Sequence, residues 1–533
     1  MSDETFDVAV VGYGPTGLVA ASLLGAMGHR VAVIERHPTL YGLPRLTHID
    51  GETARIVQAA GDVDLALRDA QALDSFKYLS ADGKVLVDLP WAEESCGHPG
   101  HISMYQPDIE QAIDERVRQH SNVTRLMGCR ATGLTVNADD VEVRAQRVHD
   151  SPSASNVIDV RARYVLGADG ANSFVRNALG IGQTDFGVDE RWLNIDTTTR
   201  RPLPERFRYT MVFCDPARPH MFMPIGQNRQ RFEFAALPDE NKDDLEREDR
   251  AWQWLRATHD LGPQDVTIIR QVLYPIKAKM ADSWGDGGRV FLLGDAAHSM
   301  PPTMGQGACS GMRDAIALSW KIDLVLRGRA TGELLGTYEA ERRPHAQAIV
   351  EGSVMLGEVA YTMDPERAAA RDEAFLNGSM PPPPPFPTLR NGIIETTAEG
   401  VAAPFAGTLA PQGLVSSHDG RIGRFDDVFG HGFKLITRAD PYTLLGREHA
   451  AFLERIGCTV HTLVPGQARS FGDGEGTYAR YFDDIGADLF ISRPDFVVFG
   501  SASVAGVGAL LAQLEDKLCF VAATETEVLA ATP

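Results

Sequence analysis

Three clusters in this chain pair glycine with a carboxylate at the end of an apolar run, and each could hold a polar ligand. The first is Gly12-x-Gly14-x-x-Gly17, which follows FDVAVV; Glu35 closes the next run, VAVIE, 18 positions after Gly17. Glycines at this spacing let backbone approach a pyrophosphate at a helix N-terminus, and an acid about 20 residues on suits a ribose hydroxyl. The second is Asp169-Gly170, at the end of VRARYVLG. The third is Gly294-Asp295, which ends the run VFLL and leads into a loop with Pro301, Gly305 and Gly307. A helix with Ile316, Leu318, Trp320, Ile322 and Leu324 follows that loop. Its unpaired N–H groups and positive dipole end favour an anionic or polar partner. Arg45, in a Pro-Arg turn, could reach a pyrophosphate with its guanidinium fork.

To bring these residues together the chain must supply strands that end side by side. FDVAVV, LVAASLLGAMG and RVAVIE read as strand, helix, strand, a βαβ unit with the fingerprint in the required place. Residues 122–165 alternate as strands of a meander around the polar loop HDSPSASN, and residues 185–283 carry further strand-like runs that predict an inserted antiparallel sheet. The expected fold is α/β: a Rossmann-like dinucleotide-binding domain in two parts (1–180 and 284–375) and a substrate-domain sheet (181–283), with short strands at 74–100 contributing to the substrate region. A proline-rich linker (376–399) then leads to a separate α/β unit (400–533). In that last unit FKLITR, CTVHTLV, DLFISRPDFVVFG and LCFVA read as strands, and AAFLERIG and ALLAQLEDKL as helices. It has no CxxC, so a redox role is not expected, and Gly506–Gly508 lacks the context of a nucleotide fingerprint.

Composition narrows the function. The 533 residues carry a net charge of -21, which argues against a nucleic-acid surface or an anionic membrane. The six cysteines are scattered without CxxC or a Cys/His cluster, which predicts neither a metal site nor a disulfide framework and suits a reducing cytoplasm. The acidic N-terminus enters a strand at once, without a signal-peptide pattern, and the weakly polar stretch Phe496 to Ala512 is too short and glycine-rich to span a membrane.

Taken in order, GYGPTG with Glu35, GADGANSFVR and LLGDAAHSMPPTMGQG resemble the single-component flavoprotein aromatic hydroxylases, the p-hydroxybenzoate and phenol hydroxylase family, over about residues 5–360. CDPARP, QRFEF, YEAERRPHA and the RPD at Arg493 are most similar to the 3-(3-hydroxyphenyl)propionate hydroxylase branch, and the C-terminal unit is similar to that branch's thioredoxin-like domain. The resemblance implies FAD as cofactor, NADPH or NADH as co-substrate, and O2 transferred to a phenolic ring through a flavin hydroperoxide. It implies that Gly12, Gly14 and Gly17 take the FAD pyrophosphate and Glu35 the adenosine ribose. Arg45 and Gln106 would hold the middle of the cofactor, and Asp169 and Gly170 would lie in a motif serving FAD and NAD(P)H. Gly294-Asp295 would bind the ribityl chain, and Pro301, Gly305 and Gly307 would line the isoalloxazine ring. His48 and Asp50 are candidates for lowering the pKa of a phenol. Thr303-Met304 departs from the propionate-type loop, so a hydroxylase of a larger polyketide or antibiotic aromatic stays open, as do a flavin-binding protein without turnover and a homodimeric assembly.

Overall fold

The computed structural model describes residues 5–91, 93–148, 156–380, 384–467 and 469–519. His149 to Ser155 of the HDSPSASN loop, prolines 381–383 of the proline run and Phe520 to Ala522 of the LCFVA run fall outside the described residues.

The apolar run Phe6–Val11 forms a central strand because it is buried on both faces, as parallel strands covered by helices are. It pairs in parallel with Val31–Glu35 on one side and with Val157–Gly167 on the other. Val123–Met127 extends the sheet beyond Val31–Glu35, also in parallel. On its other edge the strand Val157–Gly167 serves two partners: its first half pairs antiparallel with Val141–Arg147, and its last residues pair in parallel with Val290–Leu292. Gly12, Asp169 and Asp295 therefore follow the C-terminal ends of three adjacent parallel strands, where open α/β sheets bind ligands. The helices Pro15–Ala26 and Gly307–Leu326 pack on this sheet and on each other. Tyr338, on the long helix Glu333–Ala360, is fully buried and donates from its hydroxyl to Leu292 O at 2.9 Å, which pins that helix to the sheet.

A second seven-stranded sheet runs in the order Val266–Ile276, Glu190–Thr199, Arg229–Ala235, His220–Pro224, Thr210–Cys214, Ser75–Ser80, Val85–Pro90. All its pairings are antiparallel except that of Thr210–Cys214 with Ser75–Ser80, which is parallel and joins the 74–90 region to the inserted strands. Strand alternation sorts its side chains. Phe222, Phe232 and Phe234 pack under the helix Glu248–His259, while Trp192, Met221, Arg231 and Glu233 face the other way.

The C-terminal unit is built on a mixed sheet ordered Thr459–Thr462, Lys434–Thr437, Leu489–Ser492, Val498–Ala502, with its first pair parallel and the others antiparallel. DLFISRPDFVVFG thus folds back on itself as two strands. The strands Leu414–Ser417 and Phe471–Asp473 were not expected from sequence. Leu518 and Cys519, expected to open a strand, lie in a turn that ends the helix Val507–Lys517. Among the described residues no helix is long and apolar enough to cross a membrane, and no group of three or more His, Cys, Asp or Glu side chains is placed to hold a metal ion.

Candidate active site

A cavity of about 760 Å³ lies between the C-terminal ends of the parallel strands and the inner face of the second sheet. One part of its wall is Gly12, Gly14, Glu35, Arg36 and His37; another is Trp192, Val212, Met221, Met223 and Glu233, together with Thr303, Gly357 and Ala360. Arg45, Asp295, Pro301, Gly305 and Gly307 also line it, as do Gln106, Asp169, Gly170 and His48. Residues separated by nearly 300 positions are thereby brought to one site.

The glycines divide into two kinds. Gly12 has φ +101°, and a Cβ there would sit 2.3 Å from Ala168 O, so this position needs glycine for both conformation and space. Gly14 lines the cavity, and a Cβ there would point into open space. Gly17 and Gly294 are not on the wall. A Cβ at Gly17 would fall 2.1 Å from Gly12 O, so it lets the helix seat against the turn, while the Gly294 N–H donates to Asp314 Oδ2 at 3.0 Å behind the cavity.

The carboxylates are similarly sorted by their partners. Glu35 accepts from Tyr13 N at 2.8 Å and from His37 N at 2.8 Å, holding the glycine turn, and its remaining lone pairs border the cavity. Asp169 accepts from Ser173 Oγ and from Val175 N at 3.1 Å, so its side chain braces the start of the short helix Phe174–Ala178, which Ser173 caps. Asp295 is surrounded by protein but exposed to the cavity, where its carboxylate makes no hydrogen bond to another described residue; desolvation raises its pKa against the pull of His298 and Arg45.

Gln106 lines the cavity, and its side chain also bonds within the protein. Its Oε1 accepts from Arg45 N at 2.8 Å and Leu46 N at 2.7 Å, and its Nε2 donates to Glu110 Oε1 at 2.7 Å. It therefore sets the Arg45 turn. Arg231 clamps the same turn from the second sheet: its guanidinium donates to Arg45 O at 2.7 Å, Pro44 O at 2.8 Å and Asp196 Oδ1 at 2.7 Å.

Asp50 is not on the cavity wall. Its carboxylate caps the helix Gly51–Ala60 through Thr53 N at 2.8 Å, accepts from Gln306 Nε2 at 3.0 Å and pairs with Arg313. Burial opposes ionisation there, but Arg313 and Thr53 hold the carboxyl well below the usual range. His48 is on the wall. A Cβ on Gly305 would meet its Nδ1 at 2.7 Å, and its Nε2 lies 2.9 Å from His101 Nδ1, whose ring stacks on Trp91 at 3.9 Å between centroids. Burial, with His101 beside it, pushes His48 down to about 4, so it is neutral at physiological pH.

Sequence reasoning missed Glu110, Arg231 and Glu233. Glu110 Oε2 is buried without a partner, and the residue borders the cavity; burial pushes its carboxyl up to about 7. The signal for Arg231 and Glu233 was present in QRFEFA, where two charges alternate with two phenylalanines and so must share the face opposite the aromatic core.

These observations fit a dinucleotide: an open glycine cradle at the N-terminus of Pro15–Ala26, an acid beside it, and polar oxygens at Asp295 and Glu110 with no protein donor. Comparison with known proteins agrees. The FAD binding domain family matches residues 5–353, and the HcaD C-terminal domain family matches residues 407–517. The chain is 35% identical to a probable NADH-specific resorcinol 4-hydroxylase of Rhodococcus jostii, over 96% of this chain and 94% of that protein. It is 30% identical to a 3-(3-hydroxy-phenyl)propionate/3-hydroxycinnamic acid hydroxylase of Mycolicibacterium smegmatis, over 94% of this chain and 91% of that protein. Among solved structures, aklavinone-11 hydroxylase in complex with FAD and aklavinone shares the fold, with a TM-score of 0.76, 23% identity, and coverage of 97% of this chain and 100% of that one. With its glycine cradle, the carboxylate oxygens of Asp295 and Glu110 left open to the cavity, and these relatives along almost its whole length, the chain belongs to the FAD-dependent flavoprotein aromatic hydroxylases.

Proposed function

We propose that this enzyme hydroxylates a single-ring phenol, resorcinol or a 3-(3-hydroxyphenyl)propionate-like compound, using NADH and O2. The observation that carries this reading is the wall where Trp192, Val212, Met221 and Met223 line the same cavity as Thr303, Gly357 and Ala360. Thr303 is pinned there by donating to Ser353 O at 2.6 Å, so the departed loop is fixed to the helix Glu333–Ala360. Such a space is apolar, with few polar groups, as a pocket for a small arene should be. Two relatives that match at 30% identity or more along almost the whole chain support a single ring, since one is named for resorcinol and the other for hydroxyphenylpropionate.

The chemistry FAD supplies when bound is two-electron reduction by the nicotinamide and activation of O2 for transfer to the arene. The chain's part is to hold and enclose. Gly12 and Gly14 would present backbone to the pyrophosphate, and Glu35 would accept from the ribose. Arg45 would lie along the middle, Asp295 would take ribityl hydroxyls, and Pro301, Gly305 and Gly307 would face the ring. His48 would support Gly305 from behind, and Asp50 would hold the start of the helix Gly307–Leu326 through Gln306 and Arg313. We read the C-terminal unit as thioredoxin-like from its mixed four-stranded sheet, and its two cysteines within the described residues, Cys458 and Cys519, are both free.

The test is a panel of phenols scored by NADH consumption and by product heavier by one oxygen. Resorcinol and 3-(3-hydroxyphenyl)propionate are expected to give coupled product, and polycyclic phenols none; the reverse pattern would reject the single-ring assignment. Asp295→Ala is expected to weaken FAD binding by at least about tenfold, the loss of one charge-assisted hydrogen bond. The flavin-to-protein ratio after dialysis reads it, and full retention would mean that Asp295 does not hold the cofactor.

A further inference from the structure

Glu233 is a cavity carboxylate that the cofactor reading does not use; Glu190, another, accepts from Trp192 Nε1. It stands on the inner face of the strand Arg229–Ala235, with Met221 and Asn194 directly across on the two flanking strands. The residue is only 3% exposed, lines the cavity, and makes no hydrogen bond to another described residue. The nearest positive group is Arg231, with Nη1 at 3.9 Å from Glu233 Oε1, and that guanidinium is already committed to Asp196 and to the carbonyls of Pro44 and Arg45. Asn194 Oδ1, beside it, is also buried without a partner. The other charged groups on this inner face are Asp196, paired with Arg231; Arg270, which lies across from Asp196 with Nη1 3.9 Å from its Oδ2 and donates to Pro44 O; and Glu190, which accepts from Trp192 Nε1 at 2.9 Å. From the cofactor side the cavity presents Arg45, the neutral His48, the carboxyls of Glu35, Asp169 and Asp295, and Glu110, which burial likewise pushes up to about 7. An unpaired carboxyl among apolar side chains needs a donor from outside the protein.

We propose that Glu233 receives the hydroxyl of the phenolic substrate, accepting its hydrogen bond and then its proton as the ring is hydroxylated. The phenol O–H bond breaks and a Glu233 O–H bond forms. The electron pair stays on the phenolate oxygen and is delocalised into the ring carbons ortho and para to it; the proton returns when the hydroxyl re-forms. Burial, opposed by Arg231 and reinforced by Asp196, pushes Glu233 up to about 7, which matches a base to neutral pH. His48 is less suited, because it is pushed down to about 4 and its Nε2 is paired with His101. The sign of the pH dependence follows: the base is ready above about pH 7 and is lost as pH falls through that value.

This inference rests on the phenol reading, and the experiment separates the two. FAD-loaded wild type, Glu233→Gln, Glu233→Asp and His48→Asn are compared for flavin content, for the Kd of resorcinol read from perturbation of the flavin absorbance, and for kcat/KM against pH. Glu233→Gln is expected to keep its flavin, bind resorcinol about tenfold more weakly, lose about 100-fold in kcat/KM at pH 8, and lack the fall below pH 7. Glu233→Asp should restore part of the activity together with an acidic limb, and His48→Asn should keep the limb. A Glu233→Gln enzyme with unchanged Kd and an unchanged limb overturns the proposal, as does a limb that vanishes only in His48→Asn. If no phenol perturbs or stimulates the FAD-loaded wild type, the phenol reading falls and this inference with it.

Discussion

Gly12→Ala is expected to yield a protein that leaves its FAD behind on purification. At φ +101° a Cβ is strained before any contact is considered, at about 1–3 kcal/mol. The contact is worse: the new carbon would lie 2.3 Å from Ala168 O and 2.9 Å from Asp169 Cα, atoms of the neighbouring strand end that cannot rotate away. The glycine turn must therefore move off the strand that delivers Asp169, and the amides that would meet the pyrophosphate move with it. At least 100-fold weaker FAD binding and a lower apoprotein Tm are expected. Gly14→Ala is the companion. Gly14 has φ -79° and nothing within 4 Å of its Cβ, so its apoprotein should melt like wild type. Yet that methyl group would project into the space assigned to the cofactor, so FAD should still bind less well. Flavin-to-protein ratios and apoprotein melting curves separate the two effects. A Gly14→Ala protein that binds FAD like wild type would move the pyrophosphate elsewhere.

The same contrast marks what is legible in the sequence. Fingerprint glycines and strand-end carboxylates are local signals: each needs only its own strand and turn, so Gly12, Glu35, Asp169 and Asp295 stand out from the sequence alone. What each side chain does is less legible, because a partner far along the chain decides it. Asp50 looks like a free acid until Arg313, 263 positions away, is folded against it. Gln106 reads from sequence as a ligand contact alone, yet its carbonyl oxygen also accepts from Arg45 and Leu46, about 60 positions back. The strands Ser75–Ser80 and Val85–Pro90 could be seen as strands, but their parallel seat beside Thr210–Cys214 is a long-range pairing that no local pattern specifies. Glu233 was overlooked for a different reason. Its alternation with Phe232 and Phe234 says which face it shares, but not that the face looks onto a cavity.

Arg493→Ala is expected to loosen the C-terminal unit from the rest of the protein, at a cost of about 3–5 kcal/mol. Arg493 has no exposed surface. Its guanidinium donates to Glu341 Oε1 at 3.0 Å and Oε2 at 2.8 Å, to Asp495 Oδ1 at 2.9 Å and to Ile393 O at 2.8 Å. Lys321 Nζ donates to the same Glu341 at 2.7 Å. Two carboxylates and two cations thus balance where the helices Gly307–Leu326 and Glu333–Ala360 meet the C-terminal sheet. Removing Arg493 leaves two buried carboxylates against one ammonium, and the imbalance, more than the lost contacts, sets the cost. Arg493→Leu combined with Glu341→Leu leaves Lys321 and Asp495 balanced, so the pair should be less destabilising than the sum of the two single leucine substitutions. Denaturant midpoints of the single and double variants give the coupling. Hydrogen exchange in Leu489–Ser492 shows whether the C-terminal sheet is the part that opens. If the double variant falls to the sum of the singles or below it, charge balance is not what holds this junction. Undocking should also reach the active site, because a second buried pair, Arg55 with Asp426 at 2.7 Å, joins the C-terminal unit to the helix Gly51–Ala60 that Asp50 caps. FAD release from Arg493→Ala at lower denaturant than from wild type would show that the C-terminal unit steadies the segment carrying His48 and, through Asp50 and Gln306, the start of the helix that follows the Gly305 loop.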